Sequence, residues 1–286
     1  MKFRWHITFI FLVILLQIPV ALEAKVRYSS PQDSAKAMAL VEKAMEADNY
    51  GDKIVAAAKA LQGVKRGRAA DNDSIGTVVV RLDSLSQREF IYMALSAAKA
   101  ALRSVPSIKD FEAALIDISR RKGQDEGFAS QFFYGSDWIV DNVYRGNLKE
   151  MTEYLDGGSS RTKTLDYVSR HSNEFPALAD SATMEKIRLV EYGYRSHRIP
   201  HLKKQSIGNK IVKELLQNGD IIIMSPPETD FDIYDIGIVS MENGEPYLIH
   251  ISRETNEVTL DPYPLTRLFK IESQFFYGYR WLRPSE

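Results

Sequence analysis

The hydrophobic period changes once along this chain, and that change fixes the class of fold. Before about residue 120 apolar residues recur at helical spacing. After about residue 220 they come in short runs of strand length separated by turn residues. Helices first and a meander of strands last predicts an α+β domain, not a doubly wound parallel sheet.

The helical half is punctuated by caps. Ser30-Pro31-Gln32-Asp33 offers an N-cap, a proline at the first helical position and an acid in the first turn. Met38, Val41 and Met45, with Leu40 and Ala44, continue that helix. Ile54, Val55, Ala58 and Leu61 form a second stripe, which Gly63 stops. Val64 to Gly76 reads as a loop, its Lys65-Arg66-Arg68 cluster a solvated face. Asp83 or Ser84 is expected to open a third helix, lined by Phe90, Ala94, Ala97, Ala98 and Ala101. Ser107 and Asp110 cap a fourth. In the last third, strands are expected at 221–224, 236–239, 247–251, 258–260 and 277–282. Asn243-Gly244 is a strong hairpin signal and Thr255-Asn256 a weaker one.

The first residues predict export. Lys2 and Arg4 precede an apolar run from Ile7 to Leu16, Pro19 closes it, and Ala24 supplies a small residue for cleavage. That run falls short of the roughly 20 apolar residues that cross a bilayer. Residues 1–24 are therefore expected to be a signal peptide and 25–286 the mature domain, periplasmic or secreted, with no membrane anchor. The chain holds no cysteine. Disulfides, a thiol nucleophile and a lipid-modified N-terminal cysteine are all excluded. With 44 % hydrophobic and 26 % charged residues and a net charge of −1 over the whole chain, the mature part can bury a core, and it lacks the basic field that nucleic acid requires.

Generic catalytic motifs are absent. His197 and His201 have metal-ligand spacing, but Pro200 between them breaks the helix that spacing would need, so no metal is expected. Two other groups of residues stand out. One is Leu82-Asp83-Ser84 with Glu89. The other is Asn218-Gly219-Asp220-Ile221-Ile222, followed by Asp235-Ile236-Gly237-Ile238 and Leu248-Ile249-His250. Asp137-Trp138-Ile139 with Asn142, and Ser169-Arg170-His171 with Pro176-Ala177-Leu178, add to them.

Taken in order, these segments resemble the N-acetylmuramoyl-L-alanine amidase-like branch of the NlpC superfamily, exported papain-fold enzymes that cut amide bonds in cell-wall peptides. The resemblance runs from about Asp52 to Arg283. It implies a papain-like domain with a helical N-terminal extension, and no cofactor. It also exposes two departures. Where the family carries Leu-Asp-Cys at a helix start, this chain has Leu82-Asp83-Ser84. Where the family carries a histidine before an Ile/Val-Gly-Ile strand, it has Asp235. His250 matches the third polar position.

A papain-type nucleophile is a thiolate held by a neighbouring imidazolium. A serine facing a carboxylate lacks that help, since a carboxylate with a pKa near 4 is a weak base. The implied function is a catalytically degenerate family member that binds a cell-wall peptide or an exported protein partner, with Asp137, Trp138 and Asn142 on the substrate side. Trp138 reads equally as a platform and as core. Two other readings stay open: an active hydrolase with a rewired Ser84-His250-Asp235 triad, and an unrelated exported binding protein.

Overall fold

A computed structural model describes residues 26–69, 77–121, 127–155, 158–228 and 230–286. The expected signal peptide lies outside these residues. Among them, no helix is long and apolar enough to cross a membrane.

The helices and strands form an α+β arrangement. The short strand β1 (Val26–Tyr28) precedes α1 (Pro31–Met45) and α2 (Tyr50–Ala60). Three short strands follow: β2 (Lys65–Arg66), β3 (Val78–Val80) and β4 (Ser84–Leu85). Then come α3 (Gln87–Ala100), α4 (Ile108–Ser119), α5 (Gly135–Tyr144), β5 (Leu148–Glu150), β6 (Ser159–Lys163), α6 (Tyr167–Arg170), α7 (Ser181–Tyr192) and β7 (His197–Lys203). The chain ends with α8 (Lys210–Leu215), β8 (Ile221–Ser225), β9 (Asp235–Glu242), β10 (Glu245–Ile251), β11 (Val258–Leu260), α9 (Leu265–Ile271) and β12 (Gly278–Pro284).

The main sheet runs β11-β10-β9-β8-β12-β7-β6, with β5 also on β12, and all its recorded pairings are antiparallel. Asn243 and Gly244 both take positive φ, 51° and 84°, as a tight hairpin between β9 and β10 demands. Helix α3 is the hub of the core. Phe90, Ile91, Leu95, Ala97 and Ala98 on it are buried with α1, α2 and α4 and with Ile221, Ile236, Ile249 and Ile251 of the sheet. The alanines let neighbouring backbones approach closely, as the composition of this helix predicts. A second apolar layer, including Leu248, Phe269, Tyr279 and Trp281, is covered by α9.

The expected caps of α1 and α4 are present. Asp33 accepts from the Ser30 backbone N–H at 2.9 Å, and Asp110 from that of Ser107 at 2.9 Å. The other oxygen of Asp33 takes the Leu82 N–H at 2.9 Å, tying the start of α1 to the segment before α3. Helix α3, however, does not begin at Asp83 or Ser84. Ser86 is its N-cap, because Glu89 sits three residues on and returns a bond to the Ser86 N–H at 2.8 Å. Ser84 lies before the helix, in extended backbone paired with Lys65.

His197 and His201 lie on strand β7, not on a helix. Pro200 is accommodated there opposite Ser160 of the edge strand β6. Among the described residues no group of three or more His, Cys, Asp or Glu could hold a metal ion.

Candidate functional site

The start of α3 points at the middle of the sheet. Gln87 is the first helical residue after the Ser86 cap, and its side-chain amide donates to Asp235 Oδ1 at 2.7 Å. The Ile236 N–H donates to the same oxygen at 2.9 Å. The other oxygen, Oδ2, meets His250 Nδ1 at 2.6 Å. On its far side His250 Nε2 lies 3.3 Å from Asp261 Oδ2, an ion-pair contact without the alignment of a hydrogen bond. Asp261 is fixed by the Tyr263 N–H, 2.8 Å from Oδ1. The result is a buried chain Gln87–Asp235–His250–Asp261, its last three members only 4, 4 and 7 % exposed.

Strand register builds this chain. Asp235 and Gly237 share a face of β9, because side chains alternate along a strand. Gly237 pairs with His250 of β10. A Cβ on residue 237 would stand 2.9 Å from His250 Cβ and 2.7 Å from the Ile249 carbonyl oxygen. Glycine therefore makes the space through which the imidazole reaches Asp235. The network opens on a cavity of about 240 Å³, lined further by Ser252, Arg253, Thr255, Tyr263 and Leu268.

Electrostatics sets the state of the imidazole. Burial opposes a charge on His250, but Asp235 and Asp261 on either side outweigh it and push its pKa up to about 10. At neutral pH the site thus holds an imidazolium between two carboxylates. An imidazolium has no lone pair with which to take a proton, so His250 is no general base there. Gln87, the first residue of α3, is a neutral amide with no nucleophilic oxygen or sulfur to activate.

The structure brings Asp235 and His250 together and leaves Ser84 out. Ser84 Oγ contacts Asp83 at 3.3 Å, and its carbonyl accepts from Arg81. Its recorded side-chain partners include neither Asp235 nor His250. The expectation that Ser84 stands in the helix's first turn is corrected for the capping reason given above. The three residues expected on the substrate side are interior. Asp137 pairs with Arg121, with Nη2 to Oδ2 at 2.6 Å, and accepts from Tyr194 at 3.1 Å. Burial raises its pKa against the opposing pull of Arg121. Trp138 is 2 % exposed and donates from Nε1 to the Ile118 carbonyl at 3.0 Å. Asn142 donates to the Trp138 carbonyl at 2.9 Å and to that of Ile118 at 3.3 Å. Together Trp138 and Asn142 satisfy a carbonyl left open at the end of α4. Trp138 is therefore core, not an apolar platform, and none of the three lines the cavity at His250.

Two members of the network were missed from the sequence. Gln87 had a signal: Ser86-Gln87-Arg88-Glu89 has the Ser-x-x-Glu spacing of a capping box, stronger than the alternatives at Asp83 and Ser84. Asp261 had none, since it becomes relevant only when β11 pairs with β10.

A helix terminus is set against a strand pair bearing Asp235 and His250, in an α+β arrangement of amidase-like type. The family comparison agrees on the fold: the N-acetylmuramoyl-L-alanine amidase-like (AmiA-like) family model matches residues 70–274. The chain belongs to that family. Among solved structures it is similar to an N-acetylmuramoyl-L-alanine amidase from Bacteroides uniformis ATCC 8492, with TM-score 0.72 and 21 % identity over 83 % of this chain and 99 % of that one. It is also similar to a putative xylanase from Bacteroides fragilis, with TM-score 0.69 and 22 % identity over 79 % and 98 % of the two chains. A protein from Legionella pneumophila str. Philadelphia 1 gives TM-score 0.69 and 16 % identity over 89 % and 95 %. At these identities the likeness is one of fold. No curated protein matches the chain.

Proposed function

We propose that this protein is a catalytically silent member of the amidase-like family. It holds a cell-wall peptide, without cutting it, at the cavity beside His250. One observation carries the reading: Gln87 occupies the first position of α3 and is hydrogen-bonded to Asp235 at 2.7 Å. The resemblance puts the nucleophile position at Ser84 and the base at Asp235, and the recorded partners of the Ser84 side chain do not include Asp235. The side chain that the helix terminus presents to Asp235 is instead an amide, which supplies no nucleophile, and a carboxylate is a weak base for activating a hydroxyl. The charged state of His250 supports the same reading, because a rewired triad needs a neutral imidazole beside its serine. Ser84 has no recorded bond to it. The basic, apolar and small residues of segment 1–24 support placement in the periplasm or outside the cell.

The test is a restored pair. The double variant Gln87→Cys with Asp235→His supplies a thiol at the helix terminus and an imidazole opposite it. The expected result is cleavage of a muropeptide by the double variant and none by either single variant. Turnover by the unmodified protein that survives Gln87→Ala and is abolished by Ser84→Ala overturns the proposal.

A further inference from the structure

A second cavity, of about 50 Å³, opens beside the first turn of α3 and shares no lining residue with the one at His250. By the same measure a single water needs roughly 10–15 Å³, so there is space for more than one. Its lining includes Ser86, Arg88, Glu89, Tyr92, Arg120 and Gln131. The polar atoms there are mostly donors. Tyr92 is 8 % exposed, and among the described residues its hydroxyl has no hydrogen-bond partner. The side-chain nitrogen of Gln131 is also buried without one.

An unpaired buried donor costs about 1–3 kcal/mol. Two at one cavity mark a place built for an acceptor. Burial pushes the Tyr92 hydroxyl up to about 12, so it remains a neutral donor. Charge points the same way. The guanidinium of Arg88 is held by the Phe132 carbonyl, and that of Arg120 donates to the Ser119 carbonyl at 3.0 Å. Among the described residues the carboxylate that lines this cavity is Glu89, and its Oε2 is engaged by the Ser86 N–H. The N-terminus of α3 adds partial positive charge in the same place.

We propose that this cavity is a binding site for a carboxylate group. Tyr92 and Gln131 donate hydrogen bonds to it, and Arg88 and Arg120 place positive charge beside it. A carboxylate offers acceptor positions and no donor, which matches what the lining lacks. The proposal is independent of peptide binding at the His250 cavity and is tested without any peptide.

The probe is sodium acetate, compared with sodium chloride at matched ionic strength, with thermal melting and isothermal titration as readouts. The expected result is a saturable rise in Tm specific to acetate. Tyr92→Phe removes a hydroxyl that has no partner and keeps the ring, whose centroid lies 5.9 Å from that of Trp138. Without acetate that variant melts at or above the wild-type temperature. Its acetate affinity falls about tenfold, the worth of one hydrogen bond to a charged acceptor. Gln131→Leu gives the same loss and decides the matter should Tyr92→Phe not fold. Equal responses to acetate and chloride, or undiminished acetate affinity in the variants, overturn the proposal.

Discussion

Replacing His250 with glutamine probes the charge state on which the site's chemistry rests. The folded-state pKa of His250 is raised from 6.5 to about 10, burial being outweighed by Asp235 and Asp261. At about 1.4 kcal/mol per unit this sets a ceiling of roughly 5 kcal/mol on what the charged ring contributes. Removing one partner of a buried ion pair costs about 3–5 kcal/mol, which agrees. The sign follows from linkage. A group with a raised folded pKa contributes stability that is fully present below its unfolded value, here about pH 6.5. That contribution declines above this pH and is lost as pH rises through about 10. Urea unfolding of wild type and His250→Gln at several pH values measures it. The difference in unfolding free energy is expected to be about 3–5 kcal/mol at pH 6 and to shrink steadily towards pH 10. Comparing the two proteins cancels the titration of other groups, such as Lys163, which burial lowers to about 8. A difference that stays constant across this range refutes the imidazolium.

Other substitutions test the remaining parts of the account. Gly237→Ala is expected to lose about 1–3 kcal/mol in the same assay, since its Cβ meets Leu248 Cγ at 2.6 Å and backbone at 2.7 Å. Ser86→Ala removes the cap of α3 and is expected to cost about 1 kcal/mol, whereas Ser84→Ala leaves stability within about 0.5 kcal/mol. Trp138→Ala is expected to lower stability by about 3–5 kcal/mol by urea unfolding, as for a core residue. N-terminal sequencing of protein from the native cell is expected to begin near Lys25, and a full-length cytosolic product contradicts export.

Much of the fold was legible because local chemistry and tertiary packing agree in it. The apolar runs at Ile221 and Ile236 become central strands buried on both faces, and Asn243-Gly244 makes the turn its residues demand. The edge of the sheet was not legible. Strand β6 reads Ser-Ser-Arg-Thr-Lys and is largely exposed, so it carries no apolar alternation. Strand β7 contains a proline and two histidines and is recognisable only through its pairing. At the site, Asp235 and His250 were found because each sits beside a recognisable strand. The helix start was misplaced by two or three residues, since Asp83, Ser84 and Ser86 are all competent caps and only the reciprocal bond from Glu89 chooses among them. Trp138 and Asn142 carry a motif whose role here is to close the end of α4, and sequence does not separate that from contact with a ligand.

Binding without cleavage is open to a single experiment that addresses both halves. A defined muropeptide is titrated into the purified mature protein by calorimetry, and the same mixture is followed by mass spectrometry over many hours. Saturable binding that His250→Gln weakens is expected, with the peptide mass unchanged throughout. A product released by amide hydrolysis, abolished by Ser84→Ala or His250→Ala, would contradict it and assign the protein a working nucleophile.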